Sequence, residues 1–466
     1  MNPSDWLKIE TADEFGGAEL GDPRRGRRLR QIADKVSRNP EASFPHIFSD
    51  SAELEGFYRF IRNDNFVWED IHAPHVRATL ARCEMVGECL AIHDTTEFHF
   101  SGDREGCGPT SSTTEGYFAH VSLMVATDAA RTPLGVLAIE QYSRPRQEGK
   151  KIKLYDPEAK KHGTEESRRW LRGAEHVEDL KKNNFECIHI ADREGDDFRF
   201  MDGLLDKSAR FVIRAHYNRV VEDEWGERAR LEDEIARMKV SGTYDIEIST
   251  RGKRLNPSSE RSHPSRSART ARVSIAARKV LITGTKNRRT TVPLELNLVR
   301  VWEEDVPKGE PRVDWLLWTT EPVSDFDELK KVVNYYRSRW LIEEYFKALK
   351  TGCQFEKRQL DSRGTLMVAL AVFLPIAWKM LLSRSVAHRS PEAPAENIIN
   401  KLQQTFLQQH FDITITTAID ALRAIARLGG HLKRNGEPGW QTLGKGWLDL
   451  LKGEAFFRTV QATPDL

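Results

Sequence analysis

The chain has 466 residues, too many for one compact core, and a prior of about three domains follows. Lys and Arg number 71 against 70 Asp and Glu, a formal net charge of +1, so a nucleic-acid partner has to be held by local basic patches and not by global charge. Five scattered cysteines (Cys83, Cys89, Cys107, Cys187, Cys353) with no C-x-x-C pair speak against a disulfide framework or structural zinc and suit a reducing cytosol.

The opening stretch, "MNPSDWLKIETADEFGG", lacks the charged-then-apolar order of a signal peptide. Residues 1–72 read as a helical domain. In "GDPRRGRRLRQIADKV", Asp22 is placed to cap a helix with Pro23 at its first position, and Leu29, Ile32, Ala33 and Val36 mark an apolar stripe. "DSAELEGFYRFIRND" opens with Asp50 and Glu53 in capping-box spacing, followed by Leu54, Phe57, Tyr58 and Ile61. Arginines decorate both helices, a modest pointer to phosphate binding.

From 73 to about 385 the pattern is that of an α/β domain. "CLAIHD" (Cys89–Asp94) reads as a short apolar strand ending in a carboxylate, and "YFAHVSLMVATD" with "PLGVLAIEQYS" as a hairpin. A charged helix, "TEESRRWLRGAEHVEDLKK", precedes "ECIHIADREGDD", a strand ending in Asp192, and "RFVIRAH" is a further strand. Three strands, helix, strand, helix, strand is the order of a ribonuclease H-like layered domain. Residues 215–302 alternate as β structure around an Arg/Ser/Pro loop, "RGKRLNPSSERSHPSRSART", and form a β-rich insertion. "LMVALAVFLPIAW" (Leu366–Trp378) is shorter than the roughly 18 residues a membrane span needs and contains Pro375, so it reads as a buried helix of a soluble protein. Residues 386–466 are mostly helical.

"NYYRSRWLIEEYFKALKTG" (Asn334–Gly352) reads as one helix. At about 100° per residue, Tyr336, Arg339, Glu343, Lys347 and Lys350 share roughly a quarter of its circumference, with Leu341, Ile342, Tyr345, Phe346 and Leu349 opposite. An ordinary solvated face with a Glu343–Lys347 pair is the bland account. The two strand-terminal aspartates give another. Asp94, Asp192 and Glu343 converging would suit Mg²⁺, and a pair of such ions about 3.5–4 Å apart serves phosphoryl transfer. The cations and the phenol would then grip the DNA backbone.

With Tyr336-x-x-Arg339-x-x-x-Glu343-x-x-x-x-x-x-Lys350, the chain resembles the bacterial DDE cut-and-paste transposases of the insertion-sequence-four group. The likeness runs through "LGDPRR", "YRFIRN", "AIHDTT", "ADREGD", "RFVIR", "WLLWTTEPV", "RWLIEEYFKALKTG" and "AIARLGG". It implies Asp94, Asp192 and Glu343 as a triad for two Mg²⁺, with Mn²⁺ as substitute. It implies DNA-end contacts from Tyr336, Arg339, Lys347 and Lys350, and Arg214 holding a hairpinned end. It places Trp315, rather than Trp318, under a flipped base, and Arg28 and Arg59 on the transposon end.

The implied reaction nicks the end, forms a hairpin, reopens it and joins the 3′ hydroxyl to target DNA, within a homodimer spanning two ends. The resemblance also implies a cytoplasmic, nucleoid-associated protein. The dimer seam is expected in "AIDALRAIARLGGHLKR", where Ala418, Ala421 and Ala424 allow close approach. Trp340-Leu341-Ile342, the length of the Arg/Ser/Pro loop and "QQTFLQQHFDITITT" depart from the family pattern. His93, Glu194, Asp196 and Asp197 read as structural or as supporting the metal ligands from behind. A metal-dependent structure-specific nuclease and an inactive DNA-binding repressor stand as alternatives.

Overall fold

The computed structural model describes residues 3–48, 50–111, 114–145, 159–223, 225–248, 265–283, 293–432 and 437–462. The Arg/Ser/Pro loop lies largely outside them. In chain order the elements are α1 (Pro3–Lys8), α2 (Pro23–Arg38), α3 (Phe44–Ile47), α4 (Ser51–Ile61), α5 (Trp68–Val86), β1 (Glu88–Phe100), β2 (Gly108–Pro109), β3 (Glu115–Ala126), β4 (Pro133–Tyr142) and α6 (Ala159–Lys181). Then come β5 (Glu186–Ala191), α7 (Phe198–Asp206), β6 (Arg210–Arg214), β7 (Val220–Glu222), β8 (Arg228–Arg230), α8 (Leu231–Arg237), β9 (Gly242–Ile248), β10 (Arg269–Ile282), β11 (Leu294–Glu303) and β12 (Asp314–Thr319). Helices α9 (Phe326–Ser338), α10 (Trp340–Lys347), α11 (Arg363–Arg389), α12 (Lys401–Phe411), α13 (Ala418–Leu428) and α14 (Trp440–Ala462) complete the chain. Two compact units result, one of residues 1–163, 176–186 and 340–466, the other of 164–175 and 187–339.

In the first unit, α2 starts as its sequence dictates. The Asp22 carboxylate accepts from the Arg24 amide at 2.8 Å, Pro23 fills the first turn, and Leu29, Ile32, Ala33 and Val36 are buried. β1 pairs antiparallel with β3 from Cys89 to Phe100, and β3 pairs with β4 as the expected hairpin. β1 runs on past "CLAIHD" to Phe100, so Asp94 lies in mid-strand, opposite Val121. The extension obeys a two-residue period: Thr96, Phe98 and Phe100 are buried while Thr95, Glu97 and His99 are less so. Helix α11 is apolar enough to cross a membrane by composition, but 94% of its most apolar window is buried within the protein. Trp378 on it donates to the Pro133 carbonyl at 3.0 Å.

A buried ionic network ties the N-terminal segment to this core. Glu14 accepts from His75 Nδ1 at 2.8 Å and from Arg82, while His75 Nε2 accepts from the Val136 amide at 3.1 Å. Arg82 also donates to the Leu134 carbonyl at 2.8 Å. Burial raises the Glu14 carboxyl, yet the bond from His75 and the charges of His75, Arg82 and Lys379 outweigh it and hold it below its ordinary range.

Helices α12–α14 form a small bundle. Ala418, Ala421 and Ala424 are 0–3% exposed, buried in the core of this bundle within the same chain. A Cβ on Gly446 would fall 1.8 Å from the Ile425 carbonyl, and one on Gly429 would fall 1.9 Å from that of Thr442. The face expected as a dimer seam is thus filled from within, because the glycines of α14 fit against it.

The second unit is a mixed sheet of order β5-β6-β12-β11-β10-β7-β8, with β9 on β10. β5 and β6 pair in parallel, across α7. The insertion is β-rich as expected, with α8 its one helix among the described residues. Trp170, Phe200, Phe211 and Trp318 anchor the core of this unit.

Candidate active site and nucleic-acid interface

The stretch from Asn334 to Gly352 is not one uninterrupted helix. Helix α9 ends at Ser338 with Arg339 as its cap, α10 starts at Trp340, and residues Ala348–Gly352 widen into a π turn. Arg339 itself keeps helical backbone angles, with φ −50° and ψ −33°. Lys347 pairs with Glu344 at 2.7 Å and lies over the Trp340 ring at 5.1 Å. Glu344 also accepts from Trp440 Nε1 at 2.8 Å. Burial pushes the Glu344 carboxyl up, but the bond from Lys347, the charge of Arg384 and the indole hold it below its usual range.

Glu343 is partly buried on α10, and α10 packs against β1, the strand of the partly buried Asp94. Asp94 accepts from the Thr95 amide at 2.8 Å. Lys350 is bound to the same strand. Its ammonium donates to the Glu97 carbonyl and stands 3.4 Å from Glu356, whose carboxylate accepts from the His99 amide at 3.0 Å. The π turn is thereby pinned to β1 a few residues beyond Asp94. Beneath, the buried His93 and His120 rings stack at 5.9 Å, with Ser122 on His93 Nδ1 and Thr95 on His120 Nδ1, each at 2.9 Å. Two carboxylates and one lysine of the expected set thus sit on packed elements of one unit. Carboxylate oxygens in a partly buried setting fit a hard divalent cation.

In the second unit, Asp192 follows β5 directly, as the sequence indicates, and accepts from the Glu194 amide at 2.8 Å. Around it gather residues from three further elements. Arg214, at the end of β6, donates to the Asp314 carbonyl at 3.2 Å. Trp315 is partly buried next to Asp314 on β12 and meets the buried Tyr336 of α9. Trp318 is fully buried in the core, so Trp315 is the indole available to a ligand. Arg339, partly buried, ends the same helix as Tyr336.

Arg193 belongs to this group although sequence reasoning did not single it out. Desolvation, then the charge of Arg214, hold its guanidinium below its ordinary range, opposed by Tyr336, Asp192 and Asp314. Its only sequence signal is adjacency to Asp192.

On the N-terminal helices, Arg28 is partly buried and donates to the Glu53 carbonyl at 3.0 Å, stapling α2 to α4. Arg59 is exposed and paired with Glu55 at 2.8 Å, a surface pair that a phosphate could displace. Arg27 is exposed too.

Comparison with known families places two domains on this chain. Residues 5–66 match the family model described as Transposase DNA-binding, and residues 156–373 match the one described as Transposase DDE domain. The first match encloses Arg28 and Arg59. The second encloses Asp192, Glu343 and the DNA contacts expected between them, and begins beyond Asp94. A DDE domain implies a ribonuclease H-like core, and such domains bind divalent metals. The chain therefore carries a match to a transposase DNA-binding domain and one to a transposase DDE domain, which together support a DDE transposase with DNA as its partner.

Proposed function

We propose that the protein is a cut-and-paste transposase of the insertion-sequence-four group, of the type of the Tn-five enzyme. Residues 1–72 serve DNA binding, 73–385 catalysis and 386–466 pairing of two subunits across two DNA ends. The observation that carries the catalytic reading is the packing of α10 on β1, which puts Glu343 and Asp94 on neighbouring elements within a chain that has a DDE domain.

Asp94, Asp192 and Glu343 are the candidate metal ligands. Two Mg²⁺, or Mn²⁺ in their place, would supply charge neutralisation at the scissile phosphate and a water acidic enough to attack it. A water oxygen bonds to the phosphorus as the P–O3′ bond breaks, leaving a 3′ hydroxyl on the transposon and its proton in solvent. The 3′ hydroxyl then attacks the opposite strand, which closes a hairpin and releases the flanking DNA. Hydrolysis reopens the hairpin, and the same hydroxyl joins target DNA.

Arg214, Arg339 and Lys350 neutralise phosphate, and Trp315 stacks on the base that the bend expels. Lys347 is bound to Glu344 and must leave it to take part. Arg28 and Arg59 approach the transposon end from the N-terminal helices.

The test is incubation with Mg²⁺ and a plasmid carrying the native inverted ends. Hairpin-ended fragments followed by insertion products support the transposase. Cutting without joining identifies a nuclease, and end binding without cutting identifies a repressor.

A further inference from the structure

Beyond Arg214 the chain leaves β6 through a short polar segment, residues 215–219, before β7 starts at Val220. The Ala215 amide donates to the Leu316 carbonyl at 2.8 Å, so the segment begins alongside the strand start that carries Trp315. It is irregular, yet it is fixed by a carboxylate that is 1% exposed. One oxygen of Asp196 accepts from the His216 amide at 2.6 Å and the Tyr217 amide at 2.9 Å. The other accepts from Arg219 Nη2 at 2.7 Å and Nε at 3.1 Å, and Arg219 also donates to the Asp196 carbonyl. A buried carboxylate is tolerated only when paired and hydrogen-bonded, and here every one of those bonds goes to a surface loop.

The loop presents an aromatic ring to solvent. Tyr217 is 57% exposed. The clamped Arg219 guanidinium lies 5.2 Å from its ring centroid, and His216 meets it edge-on at 4.8 Å. The phenol is therefore held from the inside while the ring remains broadly accessible. A single exposed aromatic is ordinary on a protein surface. One whose backbone and supporting cation share a buried anchor is immobilised in advance, and immobilisation removes much of the entropy lost on binding.

We propose that Tyr217 is a second stacking platform, beside Trp315, for an unpaired nucleobase of DNA, and that Asp196 positions it through Arg219. The proposal rests on the reading of this face as the DNA-binding one and deepens it. A base offers a π face whatever its identity, so the platform is indifferent to sequence, and Arg193 and Arg214 stand nearby for phosphate.

The experiment uses the full chain and a single-stranded thymidine oligonucleotide in which one base is 5-iododeoxyuridine. The complex is irradiated and the crosslinked peptides are identified by mass spectrometry. We expect crosslinks at Tyr217 and at Trp315. Tyr217→Ala should weaken binding about 5- to 150-fold, whereas Tyr217→Phe should retain it. In Asp196→Asn, the yield at Tyr217 should fall relative to that at Trp315 in the same molecules, a ratio that general loss of folding does not change. Crosslinks at Trp315 with none at Tyr217, or unchanged binding by Tyr217→Ala, overturn the platform and leave the DNA face standing. Crosslinks at neither residue overturn both.

Discussion

Trp315 and Tyr336 meet edge to face, their ring centroids 5.6 Å apart and their planes at 63°. Tyr336 is 5% exposed, so its ring is a wall for the indole more than a surface for DNA. The arrangement aims one partly buried Trp and leaves Trp318 to the core.

Trp315→Ala should therefore spare the first nick and slow hairpin formation, which needs a sharply bent end. Loss of one stacking platform costs about 1–3 kcal/mol, or roughly 5- to 150-fold in that step. Tyr336→Ala should give the same defect in weaker form. An abasic site near the end should partly restore Trp315→Ala, as measured by resolving nicked, hairpin and open products on denaturing gels. No rescue would return Trp315 to a packing role.

Glu343→Ala, Asp94→Ala and Asp192→Ala should each abolish cleavage while leaving end binding within about threefold, because a metal ligand is removed and no phosphate contact is. Gel shift on end DNA, followed by Mg²⁺ addition, separates the two effects. Full cleavage by any of the three would remove that residue from the triad.

His72 is 5% exposed and packs its ring near Trp68 and His75. Burial first, and the charge of His75 second, pull it down to about 3 from 6.5. The unfolded chain binds this proton below pH 6.5 and the folded chain does not until about pH 3, so this group lowers stability progressively as pH falls through that window. The limiting slope is about 1.4 kcal/mol per pH unit for one proton. His72→Phe should flatten the dependence between pH 6.5 and 5 by up to that amount, read from urea unfolding at both pH values. An unchanged slope would show that His72 titrates normally.

Gly446→Ala should loosen α14 from α13, since its Cβ would meet the Ile425 carbonyl at 1.8 Å, where backbone has to move. Overpacking of this kind costs about 1–3 kcal/mol or more. Limited proteolysis should release the C-terminal helices early and the melting temperature should drop. Gly364→Ala is the control, because its Cβ meets nothing closer than Ser362 Oγ at 3.8 Å.

Local chemistry made several elements legible. The Asp22–Pro23 start of α2, the β3–β4 hairpin, Asp192 at the end of β5 and the burial of α11 all follow from caps, turns and runs of apolar side chains. Where the reading stopped short, the signal was present but weak. The alternation Thr96, Phe98, Phe100 carries β1 onward past Asp94, and its intervening polar residues hid a strand that is buried on one face.

What the sequence determined by itself is the inventory: three acidic residues in order, a cation-rich helical stretch, two neighbouring tryptophans, and the arginines of the first helices. Spacing along a chain fixes which side chains share a helix face only while the helix stays regular. The tertiary structure decided where regularity fails, in the π turn, and which partner each cation takes: Lys347 goes to Glu344, and Lys350 to the Glu97 carbonyl. It decided likewise that Ala418, Ala421 and Ala424 are buried within the helical bundle, and that Asp196, one carboxylate among several in "ADREGDD", is buried under a loop twenty residues on. Those outcomes depend on contacts between residues far apart in the chain, and the energies that select them belong to the packed arrangement and to no single segment.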